Sequence, residues 1–332
     1  MTIVLVTGAT GFIGRHLVMK LVEQGITVNA LYRSTSSITD LQYPGISWFK
    51  GDVTDRKSID TAMKSCRFVF HLAAYAQAWS KDKNTYRKSI MEGTVNVMES
   101  ALKYGVEKIV ITSTAGVFGP STDNIPVNED TERKVDYFSD YEKYKDLVDQ
   151  YIVETYTDRI NFCIVCPTRV FGPGLLSQSN SVTKLIRLYR EGKFHFLPGN
   201  GQSVGNYVYV DDVIKGMFLA LQNGKRGERY ILGGDNVSYC RLFEMLGELS
   251  GKKYKLYKLP VRLILLAAQL MLLRARIFGI PPLITPGWVR KFMYTWTMST
   301  EKAEKELGYQ SLNLKSGLRK TLVWLLAQNE NK

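Results

Sequence analysis

The run Thr7-Gly8-Ala9-Thr10-Gly11-Phe12-Ile13-Gly14 constrains this chain more than any other feature. It follows an apolar stretch at 2–6 and leads into 12–24, where Ile13, Leu17, Leu21 and Val22 recur at helical spacing. A strand that passes into a helix through glycines spaced G-x-x-G-x-x-G is the turn of a βαβ unit suited to a dinucleotide. Gly8 permits the tight turn, Gly11 lets backbone approach a pyrophosphate, and Gly14 lets helix and strand pack closely. The free N–H groups of the helix start then face the phosphates, with Thr10, Phe12 and Ile13 between the glycines.

Further apolar runs at 27–31, 46–49, 68–72, 107–112 and 160–166 read as strands, alternating with helical stretches at 84–104 and 138–156. The pattern predicts an α/β chain: a Rossmann-type doubly wound parallel sheet with a smaller C-terminal substrate lobe. In the second half Gly199, Gly201 and Gly205 mark a loop, and Tyr207 to Val210 read as a short strand. Asp211-Asp212 offer an N-cap for a helix at 213–222, and Ser299-Thr300-Glu301 begins a helix that Gly308 stops. Residues 1–170, with 206–235 added, are assigned to the dinucleotide domain. Residues 171–205 and 236–332 are assigned to the substrate-binding lobe.

Composition narrows the function classes. Hydrophobic residues make up 45% and charged residues 23%, which suits a packed globular chain. The net charge of +13 comes from scattered lysines and arginines, so nucleic acid is not an expected partner. Cys163 and Cys166 stand three apart in the apolar strand at 160–166 and must point to opposite faces, which argues against redox or zinc chemistry. With three histidines and no H-E-x-x-H pattern, no metal site is expected. No secretory signal precedes the first strand, and the longest apolar run, Leu263 to Leu273, is too short to span a bilayer. Unpaired thiols fit a cytoplasmic location.

The end of the second strand bears on the cofactor. An NAD site places an acid there to bond the ribose 2′-hydroxyl. Here the chain reads Tyr32-Arg33-Ser34-Thr35, with no acid before Asp40. Arg33 can pair with a 2′-phosphate, and Ser34 and Thr35 can donate to it, so NADP is favoured and NAD is the alternative. Asp52 and Val53 follow the third strand, where a carboxylate can accept from an adenine amino group. Leu72, Ala73 and Ala74 end the fourth, where small residues let backbone lie against a cofactor.

These motifs together, with Ser113-Thr114-Ala115-Gly116-Val117-Phe118-Gly119, Tyr141-x-x-x-Lys145, the Pro167 to Pro173 run containing Val170, Tyr207 to Asp212 and Lys305 to Tyr309, resemble the extended short-chain dehydrogenase/reductases over nearly the whole chain. The resemblance implies a catalytic triad of Thr114, Tyr141 and Lys145, with Lys145 also holding the nicotinamide ribose. It implies contact of Pro167 and Val170 with the cofactor, and a homodimer built on the helices at 84–104 and 138–156. The residues agree: Tyr141 and Lys145 share a helix face, and an ammonium beside a phenol should lower its pKa. The implied chemistry is hydride transfer between a nicotinamide and a carbon bearing oxygen in a small-molecule substrate.

Two branches compete. One resembles dihydroflavonol reductases and 3β-hydroxysteroid dehydrogenases, which act on apolar ketones and alcohols. The other is the nucleotide-sugar epimerases and dehydratases, which typically carry Asn at the positions of Arg169 and Ile90 and often Arg-Asp-Tyr in place of Gly205-Asn206-Tyr207. These departures favour the apolar branch, although Arg169 can bind an anion. In 260–276, Leu263, Leu266, Leu270 and Leu273 share one helical face and Arg262, Gln269 and Arg276 another. Such a helix can pack into the lobe core, cover a greasy pocket or make peripheral contact with a membrane. A non-catalytic dinucleotide-binding scaffold is the third reading, disfavoured by the presence of both Tyr141 and Lys145.

Overall fold

The computed structural model describes residues 2–122 and 125–330. In chain order the strands are β1 (Ile3–Thr7), β2 (Thr27–Tyr32), β3 (Ile46–Lys50), β4 (Phe68–His71), β5 (Lys108–Thr112), β6 (Phe162–Pro167), β7 (Arg169–Phe171), β8 (Phe196–Pro198), β9 (Val204–Tyr209), β10 (Arg229–Leu232), β11 (Asp235–Ser238) and β12 (Tyr257–Leu259). Seven of them form one parallel sheet in the order β10-β6-β5-β4-β1-β2-β3. This is the expected Rossmann-type doubly wound sheet. Its central strands are buried on both faces, which is why Ile109 to Ile111 of β5 and the residues of β6 read as continuous apolar runs rather than alternating ones.

Helices cover both faces. On one, the helices Phe12–Glu23 and Val210–Asn223 pack together, placing Leu17, Leu21 and Met217 against Val4, Val28 and Val110. On the other, Ile59, Val97, Met98, Val148 and Ile152 close over Leu5, Ile109 and Ile111. They come from Arg56–Met63, the helical stretch 84–103 with a π-helical section at Arg87–Glu92, and Asp140–Tyr156. Cys163 lies in the first of these cores and Cys166 in the second, so their side chains do face opposite sides of the sheet.

A second sheet, β11-β9-β7, and the pair β12-β8 belong to the rest of the chain. Around them a third core gathers Phe171, Ile186, Tyr207, Leu242, Leu246, Leu318 and Leu322. The two parts interleave. β10 joins the main sheet while β9 stays outside it, and Ala303, Leu307 and Tyr309 return to the first of these cores, where their segment packs against Val210–Asn223 and β10. One expectation fails locally: Asp211 and Asp212 do not cap the helix at 210–223. Tyr209 is the cap residue and both aspartates fall in the first turn, where their charge still suits the helix dipole.

Candidate active site

Strand order reverses on either side of β1: β2 and β3 lie to one side, β4 and β5 to the other. In such sheets the crevice beyond the strand ends at the reversal is where ligands bind. Here β1 ends in the glycine turn. Gly8 has φ +72, and a Cβ on it would stand 2.7 Å from the backbone nitrogen of Ala73. One on Gly14 would lie 2.1 Å from the Gly8 carbonyl oxygen. Gly11 is the N-cap of Phe12–Glu23, and no side chain caps that helix start. Its first-turn N–H groups are therefore available to an anion, and the turn fits a pyrophosphate.

Behind the turn lies buried His71. Its Nδ1 bonds Thr7 Oγ1 at 2.7 Å and its Nε2 bonds Thr94 Oγ1 at 3.0 Å. Thr7 Oγ1 also accepts from the Ala73 amide at 3.3 Å. Burial pushes the imidazole down to about 3, so the ring is a neutral strut holding 72–74 beside the glycines.

A cavity of about 940 Å³ opens at this crevice. Its wall includes Gly8, Thr10, Gly11, Phe12, Ile13 and Gly14 from the turn, and Arg33, Asp52 and Val53 from the ends of β2 and β3. Leu72, Ala73 and Ala74 line it beyond β4, and Thr114, Tyr141, Lys145, Pro167 and Val170 line it further along. The structure thus brings every expected site residue to one cavity. Ser34 and Thr35 are exposed and outside its wall. Asp40, the first acid after β2, is engaged by Arg15, which holds its carboxyl below the usual range. One oxygen of Asp52 accepts from the amide and the hydroxyl of Thr54, both at 2.9 Å.

Tyr141 and Lys145 stand in the first turns of Asp140–Tyr156, whose N-cap Ser139 accepts from the Glu142 amide. The Glu142 carboxylate accepts from the Phe138 amide at 3.2 Å, a variant of the capping box that anchors the helix start. The same buried carboxylate bonds Arg133 at 3.4 Å and Lys291 at 2.5 Å, latching the helix Pro286–Met293 onto the Tyr141 helix. Lys145 is buried and donates to the Thr112 carbonyl at 2.6 Å.

Asp149, one turn beyond Lys145, is buried and accepts from Ser113 Oγ. That bond engages the Ser113 hydroxyl, while Thr114, whose Oγ1 accepts from the Gly116 amide at 3.2 Å, lines the cavity beside it. The expected lowering of the Tyr141 pKa is not found. Burial pushes the phenol up, and the negative charges of Asp149 and Glu142 push it the same way. Lys145 does not offset this, because burial pushes its own ammonium down and its proton is directed at Thr112.

Sequence reasoning missed Asp149, the Glu142 latch and the setting of Arg169. Arg169 Nη1 donates to Tyr239 Oη at 2.5 Å and Tyr207 Oη at 3.3 Å, and the guanidinium carbon lies 5.3–5.5 Å from the rings of Tyr207, Tyr239 and Phe292. Among the described residues it has no carboxylate partner. Gly205 makes room for it, since a Cβ there would sit 2.3 Å from Nη1. Asn206 is a structural hub, bonded to Thr168, Gly234 and Asn236. The i, i+4 spacing of Lys145 and Asp149 and the Ser139-x-x-Glu142 capping pattern were the usable hints in the sequence.

A dinucleotide turn at the switch point with a Tyr–Lys pair across the cavity defines an NAD(P)-dependent oxidoreductase of the extended short-chain dehydrogenase/reductase type. Residues 4–233 match the NAD dependent epimerase/dehydratase family, and the chain belongs to that family. It is similar to a putative dihydroflavonol 4-reductase of Synechocystis sp., 30% identical over 324 residues that cover 96% of this chain and 93% of that one. It is also similar to a mouse (Mus musculus) sterol-4-alpha-carboxylate 3-dehydrogenase, decarboxylating, 27% identical with coverage of 92% and 86%. Among solved structures, gox2253 superposes with a TM-score of 0.83 at 30% identity over 99% of both chains. A UDP-glucose 4-epimerase of Thermotoga maritima, with a TM-score of 0.82 at 23% identity, over 99% of this chain and 100% of that one, shares the fold.

The Asp149 carboxyl gives a stability test. Burial pushes it from 3.8 up to about 7, against the lowering effects of the Ser113 hydroxyl and the Lys145 charge. The native state therefore keeps a proton that the unfolded chain releases. The resulting stabilisation is full below the unfolded value, declines as pH rises, and is gone above the folded value. Asp149→Asn removes this titration while keeping an acceptor for Ser113. Its melting temperature relative to the parent should climb as pH is raised from about 4 to about 8. Two melting curves that run parallel across that range would contradict the assignment.

Proposed function

We propose that the chain is an NADP-dependent reductase or dehydrogenase acting on a ketone or secondary alcohol of a largely apolar substrate. One observation carries this reading: beyond the Tyr141–Lys145 pair the cavity wall is mostly apolar, with Leu185, Leu188, Phe194, Phe243, Ile284 and Phe292 alongside the cations Arg169, Lys184 and Lys291. A substrate that buries hydrocarbon there gains roughly 25 cal/mol per Å². The names of the Synechocystis and mouse relatives, a dihydroflavonol reductase and a sterol carboxylate dehydrogenase, support it. Residues 171–205 and 236–332 serve as the substrate lobe, with Arg169 at its border as a hydrogen-bonding anchor for an oxygen of the substrate.

A bound nicotinamide dinucleotide supplies hydride exchange with the substrate carbon. Tyr141 gives its proton to the substrate oxygen in reduction and takes it back in oxidation. A phenol held high is protonated at neutral pH, the form that reduction needs. Thr114 Oγ1 positions that oxygen, and Lys145 holds the nicotinamide ribose. Gly8 to Gly14, Asp52, Val53, Leu72 to Ala74, Pro167 and Val170 hold the dinucleotide. Arg33 takes the 2′-phosphate, a role made plausible by Asp40 being engaged with Arg15. The free thiols of Cys66, Cys163, Cys166 and Cys240 support a cytoplasmic setting.

The deciding experiment is NADPH oxidation by purified protein against aromatic ketones, sterol-like ketones and UDP- and dTDP-sugars. Turnover is expected with an apolar ketone, and Tyr141→Phe should lower kcat at least ~100-fold while leaving cofactor affinity nearly unchanged. Epimerisation of a UDP-sugar, or competition by UDP, would instead favour the epimerase reading, in which Arg169 meets a diphosphate.

Dissociation constants should favour NADPH over NADH at least ~10-fold, about 1.4 kcal/mol, and Arg33→Ala should erase the gap. Equal affinities in the parent would overturn the NADP assignment.

The chain is further proposed to form a homodimer through 84–103 and 140–156. Leu147 and Tyr151, exposed and four apart on the second helix, support this. Light scattering should give about twice the chain mass, and Leu147→Glu should halve it.

A further inference from the structure

The helix Val261–Phe278 is 18 residues long, about 27 Å. It does not sink its leucines into the lobe. Only Ala268 and Ala275 are buried along it, where it packs against Pro286–Met293. Leu263, Leu266, Leu270, Leu273 and Ile277, alternately three and four apart, are 53–64% exposed. Phe278, Ile280 and Leu283 extend the same apolar surface. Soluble surfaces rarely carry so much contiguous large apolar side chain without a partner.

The charge around this surface identifies the partner. From Leu249 to Thr300 the sequence contains nine lysines and arginines and no aspartate or glutamate. Lys252, Lys253, Lys255, Lys258, Arg262, Arg274, Arg276 and Arg290 are exposed, and among the described residues none of these eight is in an ion pair. An apolar stripe bordered by unneutralised cations suits the boundary of an anionic bilayer, where the stripe enters the acyl region and the cations meet headgroup phosphates. No described helix is long and apolar enough to cross a membrane, so this one would lie along the surface.

The surface also meets the cavity. Ile264 lines the cavity from the helix, and Leu283 and Trp288 line it while being 85% and 40% exposed. They stand at its mouth, beside the apolar stripe. We propose that the face formed by Val261–Phe278 and Ile280 to Trp288 docks on an anionic lipid surface, and that the substrate reaches the cavity from that lipid. Docking stands on the surface alone; the route of the substrate rests on the apolar-substrate reading above.

The test is co-sedimentation of the full chain with two kinds of vesicle, pure phosphatidylcholine and an equal mixture with phosphatidylglycerol, at low and high salt. The chain should bind the anionic vesicles at least ~10-fold more tightly than the neutral ones, with the difference shrinking in high salt. Leu266→Glu/Leu270→Glu changes two exposed residues outside the cavity wall, so its melting temperature and its cofactor affinity should match the parent while vesicle binding falls at least ~10-fold. For the route, turnover of a vesicle-borne ketone should fall in this variant while turnover of a water-soluble one is kept. Absence of binding to anionic vesicles, or binding unchanged in the variant, overturns docking. Loss of self-association in the variant, with no vesicle binding by the parent, would assign the face to a second copy of the chain and overturn it equally. Vesicle binding without turnover of any ketone would sink the proposed function and the route, and leave docking standing.

Discussion

Gly8 lacks a side chain because the backbone of Leu72 and Ala73 occupies the space that a Cβ would need. This close approach of β1 to β4 governs the rest of the site. It requires a positive φ at the turn, and it requires the segment after β4 to stay in place, which the Thr7–His71–Thr94 bonds ensure. The strut is neutral, so it brings no charge next to the phosphate-binding turn. Once β1 and β4 are joined in this way, the sheet order carries the ends of β2 and β3 to one side of the crevice and those of β5 and β6 to the other. Cofactor-holding groups and proton-transferring groups are thereby distributed across one cavity.

Electrostatics on the proton-transfer side are set by a short series along one helix. Tyr141, Lys145 and Asp149 follow at four-residue spacing, and all three are shifted toward their uncharged forms, with burial as the first cause. Ser113 is drawn to Asp149 and Lys145 to Thr112, so adjacent residues at the end of β5 have different tasks. Asp149 therefore distinguishes the two neighbouring hydroxyls, since it binds Ser113 and not Thr114.

Much of this was legible in the sequence because it depends on local pattern. Glycine spacing, strand–helix alternation and the Tyr141–Lys145 interval each reflect backbone geometry within a few residues. The central strands and the cavity-lining residues follow from them. What was not legible depends on contacts far apart in the chain. Glu142 meets Lys291 across 149 positions, and Arg169 finds Tyr239 across 70. The phenol shift was misjudged because the i, i+4 spacing showed the lysine but not the burial that outweighs it. The leucine stripe of 261–278 showed an amphipathic helix, yet periodicity says which residues share a face and not whether that face meets protein or solvent.

The Arg169 guanidinium has a consequence for which molecules the cavity admits. A fixed cation, held by two tyrosine hydroxyls and three rings and lacking a carboxylate partner among the described residues, projects a positive potential into a mostly apolar part of the cavity. A protonated amine approaching Tyr141 would meet repulsion before it met any steric limit, whereas a neutral carbonyl or an acid would not. The sign of a ligand's charge therefore matters at this end of the cavity as well as its shape.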